Sequence, residues 1–419
     1  MRRKMGSSSH KKNNKKKQQN NSKKVVLDVD QLMARAEASM TALDIEQAAK
    51  FYFQARSQVT DVPTRLQILE KLGECHVSLG NQDQARQYFQ EALSLLEQTG
   101  ASEDTLAYHE TRSNLYLYTG QLCMEHEALQ AYQHGIQSLE ACLNIAMDEE
   151  TEKTLRPKLS GAYCTVAELY LTDLCYEDNA ETECESYLEK ALQIKDVDGE
   201  PLVDALQTMA SLRLSQKTRQ QEAIPFILRA YDKMKTGCEA LATLVGLGDD
   251  DGAAATLGDG EAAVELKEVD AANNLPEFEF RCQTAKLLLE CAAILRESAS
   301  SNGALPADSH HDQCLSAAIS VLGSLLAQND EVIEIWFLTG CAFAAKPLAE
   351  SAKYYFDTAL QMLQDTKKAL EQELAFADDE DVADLKEQLD ENRVQIEDVH
   401  AKLAEIGTVE GDDEETMEE

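Results

Sequence analysis

One spacing of small and aromatic residues occurs three times in the sequence. A glycine or alanine is followed by a small residue at +12, an aromatic residue at +16 and a second small residue at +19. Two antiparallel helices approach closely only where small residues meet, and a large aromatic side chain then fills the gap beside them. The spacing therefore predicts helical hairpins. The three series are Gly73, Ala85, Phe89 and Ala92; Gly340, Ala352, Phe356 and Ala359; and Ala36, Ala48, Tyr52 and Ala55.

The period of the pattern is close to that of tetratricopeptide repeats, which is about 34 residues. Trp336, Gly340 and Phe343 match the first-helix pattern of that repeat. Degenerate units fill the middle of the chain, and the sequence predicts an all-α tetratricopeptide-repeat solenoid of about seven helical hairpins. The further units are 114–119 with Ala128, Tyr132 and Gly135; 162–170 with Cys184, Leu188 and Ala191; 205–214 with Ala223, Ile227 and Ala230; and 278–297 with 312–327.

Composition shifts divide the chain further. The first 24 residues carry ten Lys and Arg and no acidic residue, and residues 405–419 carry eight acidic and no basic residues, so both ends are expected to be disordered. The predicted segments are a basic tail (1–27), repeats (28–245), an acidic flexible insertion (246–274), further repeats (275–363), a long capping helix (364–404) and a disordered acidic tail (405–419).

The charge restricts the partners. The chain has 39 Lys and Arg against 76 Asp and Glu, a formal net charge of −37. Such a chain is unsuited to nucleic acid as its main partner and is suited to a basic protein. It has no apolar run of about 18 residues, so no membrane contact is expected. Its 11 cysteines form no C-x-x-C motif, which indicates reduced thiols that mostly serve as small core side chains.

No catalytic or cofactor-binding pattern occurs. The sequence has no phosphate-binding glycine loop and no H-E-x-x-H motif. Two histidine pairs and one cysteine pair are candidate metal ligands, but their spacing favours ordinary loop and helix positions. We expect no enzyme activity, no cofactor and no metal. The pairs are His126 and His134, His310 and His311, and Cys175 and Cys184.

What remains is a surface. In a tetratricopeptide array the concave face is formed by the first helix of each hairpin, at positions that alternate with the core positions. Counting from Gly73 places Glu70 and Glu74 on that face, and equivalent counts place Glu37, Glu110 and Glu334 there. The recurrence of acidic residues predicts an acidic groove, which would repel the acidic tails that carboxylate-clamp repeats bind.

Three stretches are unusual for a generic repeat: 168–181 with 187–192, 330–341, and 204–215. Together with the basic N-terminus and the acidic C-terminus, they resemble the dedicated assembly chaperones of ribosomal protein four of the large subunit. The resemblance extends over residues 28–363. It implies that the chain captures a newly made basic ribosomal protein, keeps it soluble and escorts it to the nucleus for ribosome assembly.

The basic loop of that client is expected to lie along the acidic groove. The groove supplies the negative charge that ribosomal RNA provides after assembly. The resemblance implies residence in the cytoplasm and nucleus, and a solenoid with a capping helix is expected to be monomeric. The predicted client-binding residues, which come from counting the repeat register, are Glu37, Glu70, Glu74, Glu110, Glu168, Asp173, Glu334 and Phe337.

The N-terminal basic run has three interpretations: a signal for a nuclear-import receptor, a solvated tail, or a segment that docks onto the acidic tail of the same chain. Two other functions also stay open, a generic tetratricopeptide scaffold or co-chaperone, and a general acidic chaperone of basic proteins such as histones. The import candidates are Lys11, Lys12, Lys15, Lys16, Lys17, Lys23 and Lys24.

Overall fold

The computed structural model describes residues 27–98, 105–247, 273–302, 310–377 and 382–415. The chain divides into two compact units, residues 1–101 and 102–419. Within the described residues both units are built from helices, with no extended strand. The predicted basic tail and most of the predicted insertion lie outside the described residues.

The described part of the first unit contains four helices. Aspartates begin three of them: the side chains of Asp28, Asp44 and Asp61 each accept a hydrogen bond from the backbone N–H three residues later. This is the usual way in which an N-cap residue satisfies a helix terminus. The helices are α1 (Val29–Thr41), α2 (Ile45–Arg56), α3 (Val62–Ser78) and α4 (Gln82–Gln98).

The described part of the second unit contains eleven α-helices and one short 3₁₀ turn. The helices are α5 (Leu106–Gln121), α6 (Glu125–Ile145), α7 (Glu149–Leu171), α8 (Ala180–Gln193), α9 (Val203–Ser215), α10 (Ala223–Leu244), α11 (Phe278–Asn302), α12 (His310–Gln328), α13 (Ile333–Ala345), α14 (Ala349–Leu374) and α15 (Val382–Glu415).

Consecutive helices pack in pairs, α1 with α2 through α13 with α14, which makes seven hairpins in the described residues. The predicted all-α tetratricopeptide-repeat fold is confirmed. One contact departs from a simple series: α10 packs against α12 as extensively as α11 does. Gly323 of α12 allows this approach, since a Cβ there would lie 2.7 Å from Cβ of Ala242.

The predicted contact between small and aromatic residues is present in the hairpins. A Cβ built on Gly73 would lie 2.2 Å from a ring carbon of Phe89, and one built on Gly340 would lie 2.6 Å from a ring carbon of Phe356. Both phenylalanines are completely buried. The ring therefore occupies the space that any larger residue on the facing helix would need, as the +16 spacing predicted.

Most cysteines are core residues, as predicted. All eleven are free thiols, and eight of them are buried. Burial raises the pKa of these thiols, to about 11 for Cys142 and about 12 for Cys314, so they stay protonated at neutral pH. Of the cysteines expected in the core, Cys123 and Cys341 are only half-buried.

The predicted capping helix over 364–404 is not one helix. Residues up to Leu374 continue α14, and α15 starts again at Val382 and packs back against α14. The amide of Asn392 donates a hydrogen bond to the carbonyl of Leu363 at 3.1 Å, and Val399 is buried in the same contact. A straight helix would leave the apolar stripe of this segment in water, so burial favours the turn.

The helix also extends further than predicted. α15 runs to Glu415, so residues 405–415 of the predicted acidic tail are helical, and only 416–419 lie outside the described residues. Extending an existing helix requires no new nucleation, and glutamate is a good helix former.

The turn between α1 and α2 holds a strained residue. Leu43 has a φ of 58° and is 83% exposed. Gly80 occupies the same turn position of the second hairpin, with a φ of 72°. A left-handed conformation disfavours any residue with a Cβ, so Leu43 carries a backbone cost that Gly80 avoids.

Replacing Gly340 by alanine is expected to destabilise the second unit by about 1–3 kcal/mol, because the new methyl group overpacks against Phe356. The matched control is Gly161→Ala, since Gly161 also lies inside a helix but has nothing within 4 Å of its Cβ position. There the change should stabilise by up to about 1 kcal/mol through helix propensity. Denaturant unfolding measures both, and equal effects would contradict the packing explanation.

Leu43→Gly is expected to stabilise the first unit by about 1 kcal/mol, because it removes left-handed strain and no buried contact is lost. Gly80→Ala is the matched control and should destabilise by a similar amount, since open space around Gly80 leaves only the backbone term. Thermal unfolding of the two variants tests the difference in sign.

Candidate interaction surface

In the first unit, two predicted groove residues lie around one buried tyrosine. Tyr52 of α2 is 1% exposed. Desolvation, followed by the charges of Glu37, Cys75 and Glu74, raises its pKa to about 12. Glu37 of α1 and Glu74 of α3 therefore lie near the same phenol, as expected for first helices of adjacent hairpins.

The acidic residues of α3 are not free of basic partners. Glu74 forms an ion pair with Lys71 of the same helix, at 2.7 Å between Nζ and Oε2. The charge that Glu74 presents to a ligand is accordingly reduced. Glu70 is half-buried on the same helix.

In the second unit, Glu168 of α7 and Asp204 of α9 form a pair of neighbouring carboxylates. The hydroxyl of Thr208, one turn after Asp204, donates a hydrogen bond to Oε1 of Glu168 at 3.5 Å. Desolvation is the main factor that raises the pKa of Glu168, and the charge of Asp204 adds to it. Desolvation also raises the pKa of Asp204.

Glu168 is both accessible to water and desolvated. Its side chain is exposed to water, yet the surrounding protein desolvates it. Its charge also contributes to the raised pKa of Tyr132 on α6 and of Cys164 on α7, in both cases after desolvation by burial. Side chains of three helices thus surround a carboxylate that solvent can still reach.

No cation compensates this pair within the part of the chain that the structure describes. No Lys, Arg or His nitrogen comes within ion-pair distance of Glu168 or Asp204 there. Two desolvated like charges favour any positive group that can approach both. A guanidinium fits such a site well because it donates several hydrogen bonds in one plane.

Other predicted residues of this unit lie in different settings. Glu110 is half-buried on α5, and its charge, after desolvation, contributes to the raised pKa of Cys142 on α6. Asp173 is exposed just after the end of α7. For Glu110 and Asp173, contact with the client stays a prediction.

The two predicted residues of α13 are partly engaged by the protein itself. Glu334 forms an ion pair with Lys286 of α11 at 2.8 Å. The half-buried ring of Phe337 packs at 5.7 Å from that of Phe356, so most of its apolar surface serves the hairpin core. The seven lysines of the import candidate lie outside the described residues.

Sequence reasoning missed Asp204 and Thr208. A register signal existed for Thr208: counting back from Ala223, Ile227 and Ala230 places it at the position that Glu70 has in the second hairpin. Asp204 does not fall on that register. Only the packing of α9 beside α7 brings it close to Glu168.

The described residues form neither a metal site nor a membrane-spanning helix. No cluster of three or more His, Cys, Asp or Glu side chains there is arranged to hold a metal ion. Among the same residues, none of the helices has the length and apolar character needed to cross a bilayer.

Comparison with known proteins finds relatives that are described as assembly chaperones. A protein of Schizosaccharomyces pombe described as "Probable assembly chaperone of rpl4" is 28% identical over 312 residues, which covers 70% of this chain and 73% of that protein. The chain resembles the assembly chaperones of rpl4. An Emericella nidulans protein with the same description is 23% identical over 281 residues, covering 66% of this chain and 54% of that protein.

A solved structure supports the fold. The assembly chaperone of RpL4 (Acl4), residues 1–338, aligns with a TM-score of 0.50 and 24% identity, over 77% of this chain and 98% of that one. No family model matches the chain. The resemblance predicted from residues 168–192, 204–215 and 330–341 is confirmed by these relatives.

The carboxylate pair makes a testable contribution to stability. Its folded-state pKa values lie above the ordinary range, so ionisation at neutral pH opposes folding. Glu168→Gln with Asp204→Asn should therefore raise the free energy of unfolding at neutral pH, by up to about 1 kcal/mol after solvent screening. The gain should vanish as the pH falls below the ordinary carboxyl range, where wild-type groups are protonated in both states.

Glu185→Gln serves as the control of opposite sign. Hydrogen bonding to Arg213 lowers the pKa of Glu185, so the ionised carboxylate stabilises the fold. Removing this charge should destabilise the protein at neutral pH. Denaturant unfolding over a pH series measures both variants. A double variant that is less stable than the wild type at neutral pH would contradict the destabilisation expected from the two raised pKa values.

Proposed function

We propose that this protein is a dedicated chaperone of ribosomal protein L4 of the large subunit. In this proposal it binds the newly made, basic protein, keeps it soluble and escorts it from the cytoplasm to the nucleus for ribosome assembly. Two relatives described as probable assembly chaperones of rpl4 support it, one of them over 73% of its own length. The proposal assigns no catalytic step to the chain.

The observation that carries the proposal is the uncompensated pair of Glu168 and Asp204. Elsewhere on the first helices, Glu74 and Glu334 are neutralised by lysines of the protein itself. At the pair, desolvation raises the pKa of both carboxylates, and the charge of Asp204 adds to the shift of Glu168. A binding site for an external cation accounts for such an arrangement, since the ligand relieves the repulsion.

The chemistry of the client fits this site. A ribosomal protein segment that is destined for RNA carries many lysines and arginines, and before assembly it has no phosphates to neutralise them. An acidic surface supplies the missing charge and accelerates the encounter through long-range attraction. RNA, with its higher charge density, can then compete for the same side chains in the pre-ribosome.

The test is the affinity of the full-length chain for purified ribosomal protein L4 at physiological salt, measured by calorimetry. The double variant Glu168→Gln with Asp204→Asn should bind about tenfold more weakly, as expected for the loss of two close charge contacts. The affinity of the wild type should also fall as the pH is lowered, because raised pKa values let protons compete with the client.

The matched control removes the same two charges from α14. Asp365 and Glu371 are exposed on the second helix of the last hairpin, and Asp365→Asn with Glu371→Gln should change the affinity by less than about twofold. Equal losses in both double variants would show that only net charge matters. Deletion of 405–419 should leave binding largely intact, whereas a general acidic chaperone that acts through its tail would lose it.

A further inference from the structure

Two neighbouring turns of the second unit expose apolar side chains. Met124, between α5 and α6, is 75% exposed, and Tyr176, between α7 and α8, is 62% exposed. Each is followed by a glutamate, Glu125 and Glu177. We name these four residues the turn patch. They belong to the turns rather than to the first-helix face that carries Glu168 and Asp204.

Contacts between the turns hold the patch together. Nε2 of His126 lies 3.4 Å from Oε1 of Glu177, which links the start of α6 to the segment after α7. Desolvation, followed by the charges of Glu125 and Glu177, raises the pKa of the Tyr176 phenol, so both carboxylates lie near it. The two turns therefore form one surface, in which an aromatic ring is flanked by two carboxylates.

The segment beneath Tyr176 is anchored in the core. Leu174 is completely buried, and its N–H donates to the carbonyl of Leu169 at 2.8 Å. The N–H of Glu177 donates to the carbonyl of Leu174 at 3.1 Å. Tyr176 is thus held outward by a fixed turn, so a ligand that contacts the ring meets a surface that is already ordered.

The charge around the patch has a single sign. Residues 113–152 and 159–189 contain no Lys or Arg, and His126 is the only titratable base in the two turns. The acidic side chains on the adjoining segments add to the field of the patch. They are Glu127, Asp173, Asp178, Glu181 and Glu183.

We propose that the turn patch binds an arginine or lysine side chain of an extended basic segment, with the cation over the ring of Tyr176 and the carboxylates of Glu125 and Glu177 beside it. Charge complementarity selects this occupant, because an aromatic face between carboxylates attracts a cation in two ways. The inference rests on the proposed function only in assigning the segment to ribosomal protein L4. It adds a second contact surface outside the first-helix face.

The experiment measures the affinity of the full-length chain for an oligo-arginine peptide and, separately, for ribosomal protein L4. Tyr176→Ala should weaken binding of both probes by about threefold to tenfold, the scale of a cation–π contact. Tyr176→Phe keeps the ring and should bind within about twofold of the wild type. The matched control is Tyr354→Ala, because Tyr354 is a comparably exposed tyrosine on α14, at 52%.

The possible outcomes separate the inference from the proposed function. Unchanged binding of the peptide by Tyr176→Ala overturns the inference. A wild-type chain that binds the peptide in a Tyr176-dependent way but does not bind L4 supports the turn patch and refutes the proposed client. If the effect of Tyr176→Ala on L4 disappears when residues 1–24 are removed, the basic segment at the turn patch is the N-terminal tail of the same chain, which supports the patch and refutes L4 as its occupant.

Discussion

The close approach of paired helices at a glycine and an aromatic ring is the contact on which the rest of the structure depends. At Gly73 and Phe89, and again at Gly340 and Phe356, the ring fills space that a single Cβ would block. Because this contact fixes the spacing of these two hairpins, it also fixes which side of their first helices faces away from the core. Glu74 and Glu334 lie on the first helices of these hairpins, although neither takes part in the core.

The acidic residues are not equivalent once they are placed in the fold. Glu74 and Glu334 each have a lysine within ion-pair distance. Among the described residues, no Lys, Arg or His forms an ion pair with Glu168 or Asp204. Repulsion between desolvated carboxylates is unfavourable for the isolated chain and favourable for binding a cation. Under the proposed function, a pair that lowers the stability of the isolated chain would serve to bind the client.

The hairpins and their core were predictable because the signal lies within about 20 residues of sequence and repeats. Ala48, Ala85 and Ala352 occupy the buried helix contacts that their offsets predicted. The turn before α15 was not predictable, since local propensity favours helix through most of 364–404. Burial of Val399 and the hydrogen bond from Asn392 to Leu363 decide it, and both are contacts between segments distant in sequence.

By itself, the sequence determined the fold class, the number of hairpins and the acidic character of the protein, because repeat spacing and charge are properties that a linear chain carries. Only the tertiary structure decided which carboxylates keep an uncompensated charge. Glu168 and Asp204 are 36 residues apart, and the packing of α7 beside α9 makes them neighbours. The same applies to Glu125 and Tyr176, because a Coulomb interaction depends on distances through space that the order of residues does not contain.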